Sequence, residues 1–219
     1  MDIFSHICSI FKDIDDPVVF EIGAHHAEDT LTILTCAGFP EKIVDAFIFE
    51  PDPRNIDEVK RVTEGLVGVK RFNSAIGNYC GYSEFHLSSG NANGGEDWTG
   101  SSSLQKPKNH LNAHPWCKFD QVAKVAVTTL DFAFLSYGLS KIDFIWADIQ
   151  GAEAAMVQGG QLALKHTKYL YCEYSDHELY EGQLRLEDWF KLLPGKWEIM
   201  EKYTHDVLLE NKEWQSLSK

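Results

Sequence analysis

Short, nearly unbroken apolar runs recur along the chain at residues 18–22, 44–50, 67–76, 142–147 and 168–174. Runs of this length, bounded by Gly, Pro and Asp, read as strands buried on both faces. The segments between them carry apolar residues at helical spacing. Ile3, Phe4, Ile7, Ile10, Phe11 and Ile14 predict an amphipathic helix over residues 1–16 that packs on the domain and ends at Pro17. Further helices are predicted over 27–36, closed near Gly38 and Pro40, and over 56–64, after Pro51 and Pro53. Others cover 129–137, stopped by Gly138, a stretch that follows residues 149–153 and runs through Val157, and 184–193, halted by Pro194 and Gly195. Residues 82–87 alternate as a strand or hairpin arm, 124–128 form a short strand, and 197–203 with 207–209 form a closing hairpin at a sheet edge. Strands alternating with helices predict an α/β fold, a mostly parallel sheet with helices on both faces.

Residues 88–119 break the alternation. They are rich in Gly, Ser and Asn and have little periodicity, and a stretch of this length inside a compact domain usually serves as a lid or binding loop. Trp98, Leu104, Trp116 and Phe119 give it side chains that can dock. Because the pattern resumes beyond it, all of 1–219 is read as a single domain carrying an inserted substrate loop.

Charge and cysteine narrow the partners. Lys and Arg total 20 against 33 Asp and Glu, a net charge of −13 with no compensating basic run. Nucleic acid and anionic membranes are therefore disfavoured. No apolar stretch reaches the ~20 residues of a membrane span. Nothing at the N-terminus resembles a secretory signal, so the cytoplasm is expected. The five cysteines (Cys8, Cys36, Cys80, Cys117, Cys172) lack paired spacing, and reduced thiols are the expectation.

The chemistry gathers at strand ends. Glu21, Glu50, Ser74, Asp148 and Glu173 each stand at or near the end of an apolar run. In an open parallel sheet these side chains converge on one crevice beyond the carboxyl edges. Gly23 allows a sharp turn after the first strand, and an acid in the place of Glu50 suits the two hydroxyls of a ribose. The turn Gly23-Ala24-His25-His26-Ala27 has only the first glycine of a dinucleotide fingerprint, which weakens a nicotinamide-dependent oxidoreductase.

Six motifs occur in order: Phe20-Glu21-Ile22-Gly23-Ala24, Phe49-Glu50-Pro51-Asp52-Pro53, Asn73-Ser74-Ala75-Ile76-Gly77, Gly100-Ser101-Ser102-Ser103-Leu104, Val127-Thr128-Thr129-Leu130-Asp131 and Asp148-Ile149-Gln150-Gly151-Ala152-Glu153. Together they resemble the FkbM family of S-adenosylmethionine-dependent methyltransferases over roughly residues 15–175. The resemblance implies a seven-stranded class I methyltransferase (Rossmann-like) sheet and O-methylation of a sugar or other small metabolite. It implies S-adenosylmethionine as cofactor, held by Glu21, Gly23, Ala24, His25, Thr30, Glu50, Pro51, Asp52, Ser74, Ala75, Ile76 and Asp148. The chain departs from the family pattern with His25 and Ala27 in the first loop, Trp146 before the fourth strand's end, and Gln150 where an acid is usual.

Methyl transfer to oxygen is an in-line displacement that gains from alignment and from a base. Asp148 is the first candidate base, followed by His25, His26 and Glu173. Ser102, Ser103, Gln150 and His177 are candidates for contact with the acceptor. No metal site is assigned, because no dense ligand spacing appears. Gln150 and Trp146 leave open a non-catalytic module that binds the cofactor or a partner.

Overall fold

The computed structural model describes residues 2–215. Met1 and residues 216–219 of the domain expected over 1–219 lie outside the described residues. In chain order the strands are β1 (Val18–Ile22), β2 (Asp45–Phe49), β3 (Val69–Phe72), β4 (Ser74–Gly77), β5 (Gly81–Ser89), β6 (Lys118–Thr129), β7 (Ile142–Ala147), β8 (Thr167–Glu173), β9 (Trp197–Lys202) and β10 (Asp206–Asn211). The helices are α1 (Ile3–Phe11), α2 (Thr30–Cys36), α3 (Ile56–Val62), α4 (His110–Ala113), α5 (Leu130–Ser136), α6 (Glu153–Gln158), α7 (Gln161–Lys165) and α8 (Leu186–Trp189).

Seven strands form one sheet in the order β3-β2-β1-β7-β8-β10-β9. All its pairings are parallel except those of β10, which runs antiparallel to both β8 and β9. The order reverses between β1 and β7, which opens a crevice at their carboxyl ends. Side chains alternate across the pleat. Phe20, Ile22, Phe47, Phe49 and Ile145 join α5, α6, α7 and α8 in one core layer. Val19, Ala46, Phe144 and Trp146 meet α1 and α2 through Ile7, Phe11, Ile33 and Leu34 on the other. Each fully buried Val, Leu, Ile or Phe among them contributes roughly 1.5–3 kcal/mol. Among the described residues, no helix is long and apolar enough to cross a membrane.

The structure corrects several expected boundaries. The strand expected over 67–76 is two strands in different sheets, because Asn73 turns aside to donate to the carbonyls of Glu50 (2.8 Å) and Pro51 (3.2 Å). β4 then pairs with β6, which also pairs with β5, giving a second sheet of three strands. The strand expected over 124–128 is accordingly twelve residues long; its first half is largely exposed and is held by β5 rather than by burial. The first helix stops at Phe11, where Asp13, Asp15 and Asp16 follow and oppose the helix dipole. α2 begins at Thr30 and not at 27, because His25 and Ala27 take left-handed backbone angles of +51° and +63°. The helix expected over 184–193 shortens to α8 and a 3-10 turn over Phe190–Leu192. α7 was not foreseen. Cys8 and Cys36 form a disulfide between α1 and α2, against the expectation of reduced thiols throughout; Cys80, Cys117 and Cys172 are free.

Candidate active site

A cavity of about 410 Å³ lies beyond the carboxyl ends of β1, β2 and β7. Its floor depends on close backbone packing. Gly23 has φ +86°, and a Cβ there would stand 1.8 Å from the carbonyl oxygen of Asp148. Only glycine lets the β1 turn lie against the end of β7. The Gly23 and Ala24 amides donate to the Phe49 carbonyl (2.9 and 3.2 Å), and the Asp148 amide donates to Ile22 (3.0 Å), so the three strand ends are locked in register.

Two buried glutamates face this floor. Glu50 accepts the His25 amide at Oε2 (2.7 Å) and the Asp52 amide at Oε1 (2.8 Å), which fixes the carboxylate plane. Burial nevertheless pushes Glu50 up to about 8, with the backbone donors opposing. Glu21 is likewise pushed up to about 8 by burial, opposed by the Thr30 hydroxyl, which donates to it at 2.5 Å. Desolvated carboxylates of this kind are stabilised by whatever positive charge or hydroxyl donors enter the cavity.

A second acidic group sits at the end of β7. The Gln150 amide donates to both Asp148 Oδ1 and Glu173 Oε2, each at 2.7 Å. Burial, then the charges of Asp148 and Glu153, hold the Glu173 carboxyl well above the usual range. Gln150 itself is in the left-handed region (φ +51°). The buried Tyr180 hydroxyl lies 2.9 Å from Gln150 Oε1 and 2.8 Å from the Ser101 carbonyl, and can donate to either. A glutamine can bridge two acids where a third acid would repel them.

The segment expected as a substrate loop supplies a wall of the same cavity. Trp98, Thr99, Gly100, Ser102 and Leu104 line it, opposite Ser74, Ala75, Ile76 and Phe85. This wall is pinned through Asp52, which is fully buried. Arg54 Nη2 meets Asp52 Oδ2 at 2.6 Å, its Nε meets Oδ1 at 2.9 Å, and its Nη1 donates to the Ser88 carbonyl at 3.0 Å. The Ser102 hydroxyl lies 3.0 Å from Asp52 Oδ2.

Of the residues expected from sequence, Glu21, Gly23, Ala24, His25, Glu50, Pro51, Ser74, Ala75, Ile76, Ser102, Asp148 and Gln150 line the cavity. Thr30, Asp52, Ser103, Glu173 and His26 stand one layer behind and act on lining groups. Ser103 donates to the Gln150 carbonyl (2.6 Å), and His26 contacts Asn55 (3.1 Å). His177 is exposed and away from the cavity wall. The sequence reading missed Glu28, Asp29, Asn55, Phe85, Trp98, Thr99, Leu104 and Ile149 as lining residues, and Tyr180 behind them. Asn55 and Glu28 lie close in sequence to expected ones and were within reach of it; Phe85 and Tyr180 carried no local signal.

The family profile described as the methyltransferase FkbM domain matches residues 21–209. The chain is 38% identical over 200 residues to the 2-O-methyltransferase NoeI of Sinorhizobium fredii (strain NBRC 101917 / NGR234), covering 90% of this chain and 80% of that protein. Among solved structures it resembles the methyltransferase FkbM from Methylobacillus flagellatus KT with a TM-score of 0.55 at 13% identity; the match covers 90% of this chain but only 44% of that one. It also resembles a putative rRNA-methylase from Clostridium thermocellum, with a TM-score of 0.52 at 9% identity, covering 98% and 95% of the two chains. At these identities the two structures speak for the fold alone.

Proposed function

The chain belongs to the FkbM methyltransferase family and has the class I methyltransferase fold, and from that premise we propose that it is an S-adenosylmethionine-dependent O-methyltransferase acting on a sugar or another small hydroxylated metabolite. The observation that carries the reading is the convergence of Glu21, Glu50 and Asp148 on one cavity whose other wall sets Ala75, Ile76, Phe85, Trp98 and Leu104 among Ser74, Thr99 and Ser102. Such a site complements a cationic adenosine derivative.

The residues fit the cofactor's chemistry. Glu50, held by two backbone amides, has acceptor positions left for ribose hydroxyls. Ala75, Ile76, Phe85 and Leu104 offer an apolar slot for a purine, and Glu21 and Asp148 place carboxyl groups that a sulfonium and an ammonium would hold in their ionised form. S-adenosylmethionine would supply a methyl group already activated toward displacement. The protein's part is to exclude water and align an acceptor, a contribution that reaches roughly 7–11 kcal/mol in favourable cases. Asp148 is the base we favour. Gln150 holds it in place from the side of Glu173, whose carboxyl is held well above the usual range by burial and by the charges of Asp148 and Glu153.

NoeI is named a 2-O-methyltransferase, which supports oxygen as the accepting atom. We further propose that the whole of 1–219 is one domain and that segment 98–104 covers the cofactor side of the cavity. Calorimetric titration with S-adenosylhomocysteine tests the reading, followed by a turnover screen on hydroxylated sugars. Micromolar binding with methyl transfer to any of them is expected. No binding by folded protein overturns the reading, and binding without turnover favours a non-catalytic module. The departure at Gln150 motivates that second outcome.

A further inference from the structure

We propose that His25, His26 and Glu28 form a binding site for one divalent transition-metal ion of the zinc class, at the rim of the cavity. One ligand atom from each lies within 4.8 Å of the others. His25 Nδ1 is 3.0 Å from Glu28 Oε2, and His26 Nδ1 is 3.9 Å from Glu28 Oε1. Four-coordinate zinc holds such atoms about 3.3 Å apart. Glu28 is exposed and free to turn the remaining distance.

The opposite ring nitrogens are already engaged. His26 Nε2 contacts Asn55 Oδ1 at 3.1 Å, and His25 Nε2 contacts Thr99 Oγ1 at 2.8 Å. An amide oxygen only accepts, so His26 carries its proton on Nε2 and directs the Nδ1 lone pair at Glu28. The Thr99 hydroxyl lets His25 adopt the same tautomer. Outer partners of this sort are what orient histidine ligands around a metal. Without an ion His25 can carry its proton on Nδ1 and donate to Glu28 Oε2 at 3.0 Å, and an ion would take that proton's place.

The backbone is built to bring the two rings together. His25 and Ala27 are both left-handed, an uncommon state for residues with a Cβ. The turn leaves the consecutive imidazoles face to face with centroids 3.9 Å apart, so one ring turns about its side-chain torsions to bring both in-plane lone pairs onto a single ion. Two imidazoles and one carboxylate match the open, three-ligand zinc set and suit cobalt or nickel as well, whereas magnesium prefers oxygen alone. His25 and Glu28 also line the cavity, so an ion held between them lies at its edge. An ion held there would polarise an acceptor hydroxyl. That role rests on the methyl-transfer reading, whereas the binding of the ion does not.

The test is calorimetry of zinc chloride into tag-free, chelator-free protein carrying Cys80→Ser, which removes the exposed free thiol. Cobalt spectroscopy provides a second readout through visible bands of a low-coordinate site. One equivalent of zinc is expected. Glu28→Gln and His26→Ala are each expected to weaken binding by at least about 100-fold, and Asn55→Ala by about 10-fold or more. Glu28 is exposed, so Glu28→Gln leaves the fold intact even where His26→Ala does not. Absence of stoichiometric binding overturns the proposal, as does binding that both variants leave unchanged. A parallel titration with S-adenosylhomocysteine keeps the two readings apart: zinc binding without nucleoside binding retires the methyl-transfer role and leaves the ion site standing.

Discussion

Replacing Glu50 by glutamine probes the cavity at its most heavily constrained group. The carboxylate is held by the amides of His25 and Asp52 at 2.7 and 2.8 Å, so the ribose meets a preformed acceptor. Two charge-assisted hydrogen bonds at roughly 1.5–3 kcal/mol each set a ceiling of about 3–6 kcal/mol. Part of this is offset. With Glu50 pushed up to about 8 by burial, only about a tenth is ionised at pH 7, and ionising the rest costs about 1.4 kcal/mol. The expected net loss in Glu50→Gln is about 2–4 kcal/mol, or about 30- to 1000-fold in the dissociation constant of S-adenosylhomocysteine. Calorimetry at pH 7 and pH 9 reads both parts: the natural protein should bind up to about tenfold tighter at pH 9, and the variant should gain less. A variant within threefold of the natural protein, with the same gain between the two pH values, would refute the assignment. Melting of the ligand-free variant should fall, since the glutamine amide nitrogen cannot accept and leaves either the His25 or the Asp52 amide without its partner.

Stability should also depend on pH. Glu21 rises from 4.5 to about 8, so the folded state holds a proton that the unfolded chain releases earlier. Its contribution is complete below about pH 4.5 and is lost as pH rises through about 8, on the order of 5 kcal/mol at most. Urea titrations of Glu21→Gln should show a flatter pH profile, and an unchanged slope would contradict the burial argument. Gly23→Ala combines a left-handed angle with a Cβ 1.8 Å from the Asp148 carbonyl, and should cost roughly 3 kcal/mol or more by urea denaturation. Arg54→Ala strands the buried Asp52 carboxylate and cuts the ties to Ser88 and Ser102. A loss of about 3–5 kcal/mol is expected, with faster hydrogen exchange over 98–104. Gln150→Glu places a third acid between Asp148 and Glu173, and the optimum of turnover should move to higher pH.

The central strands were legible because each is a short apolar run closed by Gly, Pro or an acid, and the acids at their ends were legible because a parallel sheet forces them together. The same logic failed wherever a segment is held by pairing and not by burial. Residues 118–123 of β6 mix polar and apolar side chains without a buried face, so nothing in their pattern announced a strand. The break at Asn73 depends on carbonyls some twenty residues earlier in the chain. Phe85, Trp98 and Leu104 reach the cavity only after the second sheet has formed. The Cys8–Cys36 pair joins residues separated by 28 positions, and spacing alone could not join them.

Because the chain leaves the large sheet at Asn73 and starts another at Ser74, the cavity is a seam, with strand ends of the seven-stranded sheet below and the edge of the three-stranded sheet above. Whatever occupies it touches both and acts as mortar between them. Occupancy therefore lends the smaller sheet some of the larger one's rigidity, and a ligand that grips only one side would bind without welding the halves.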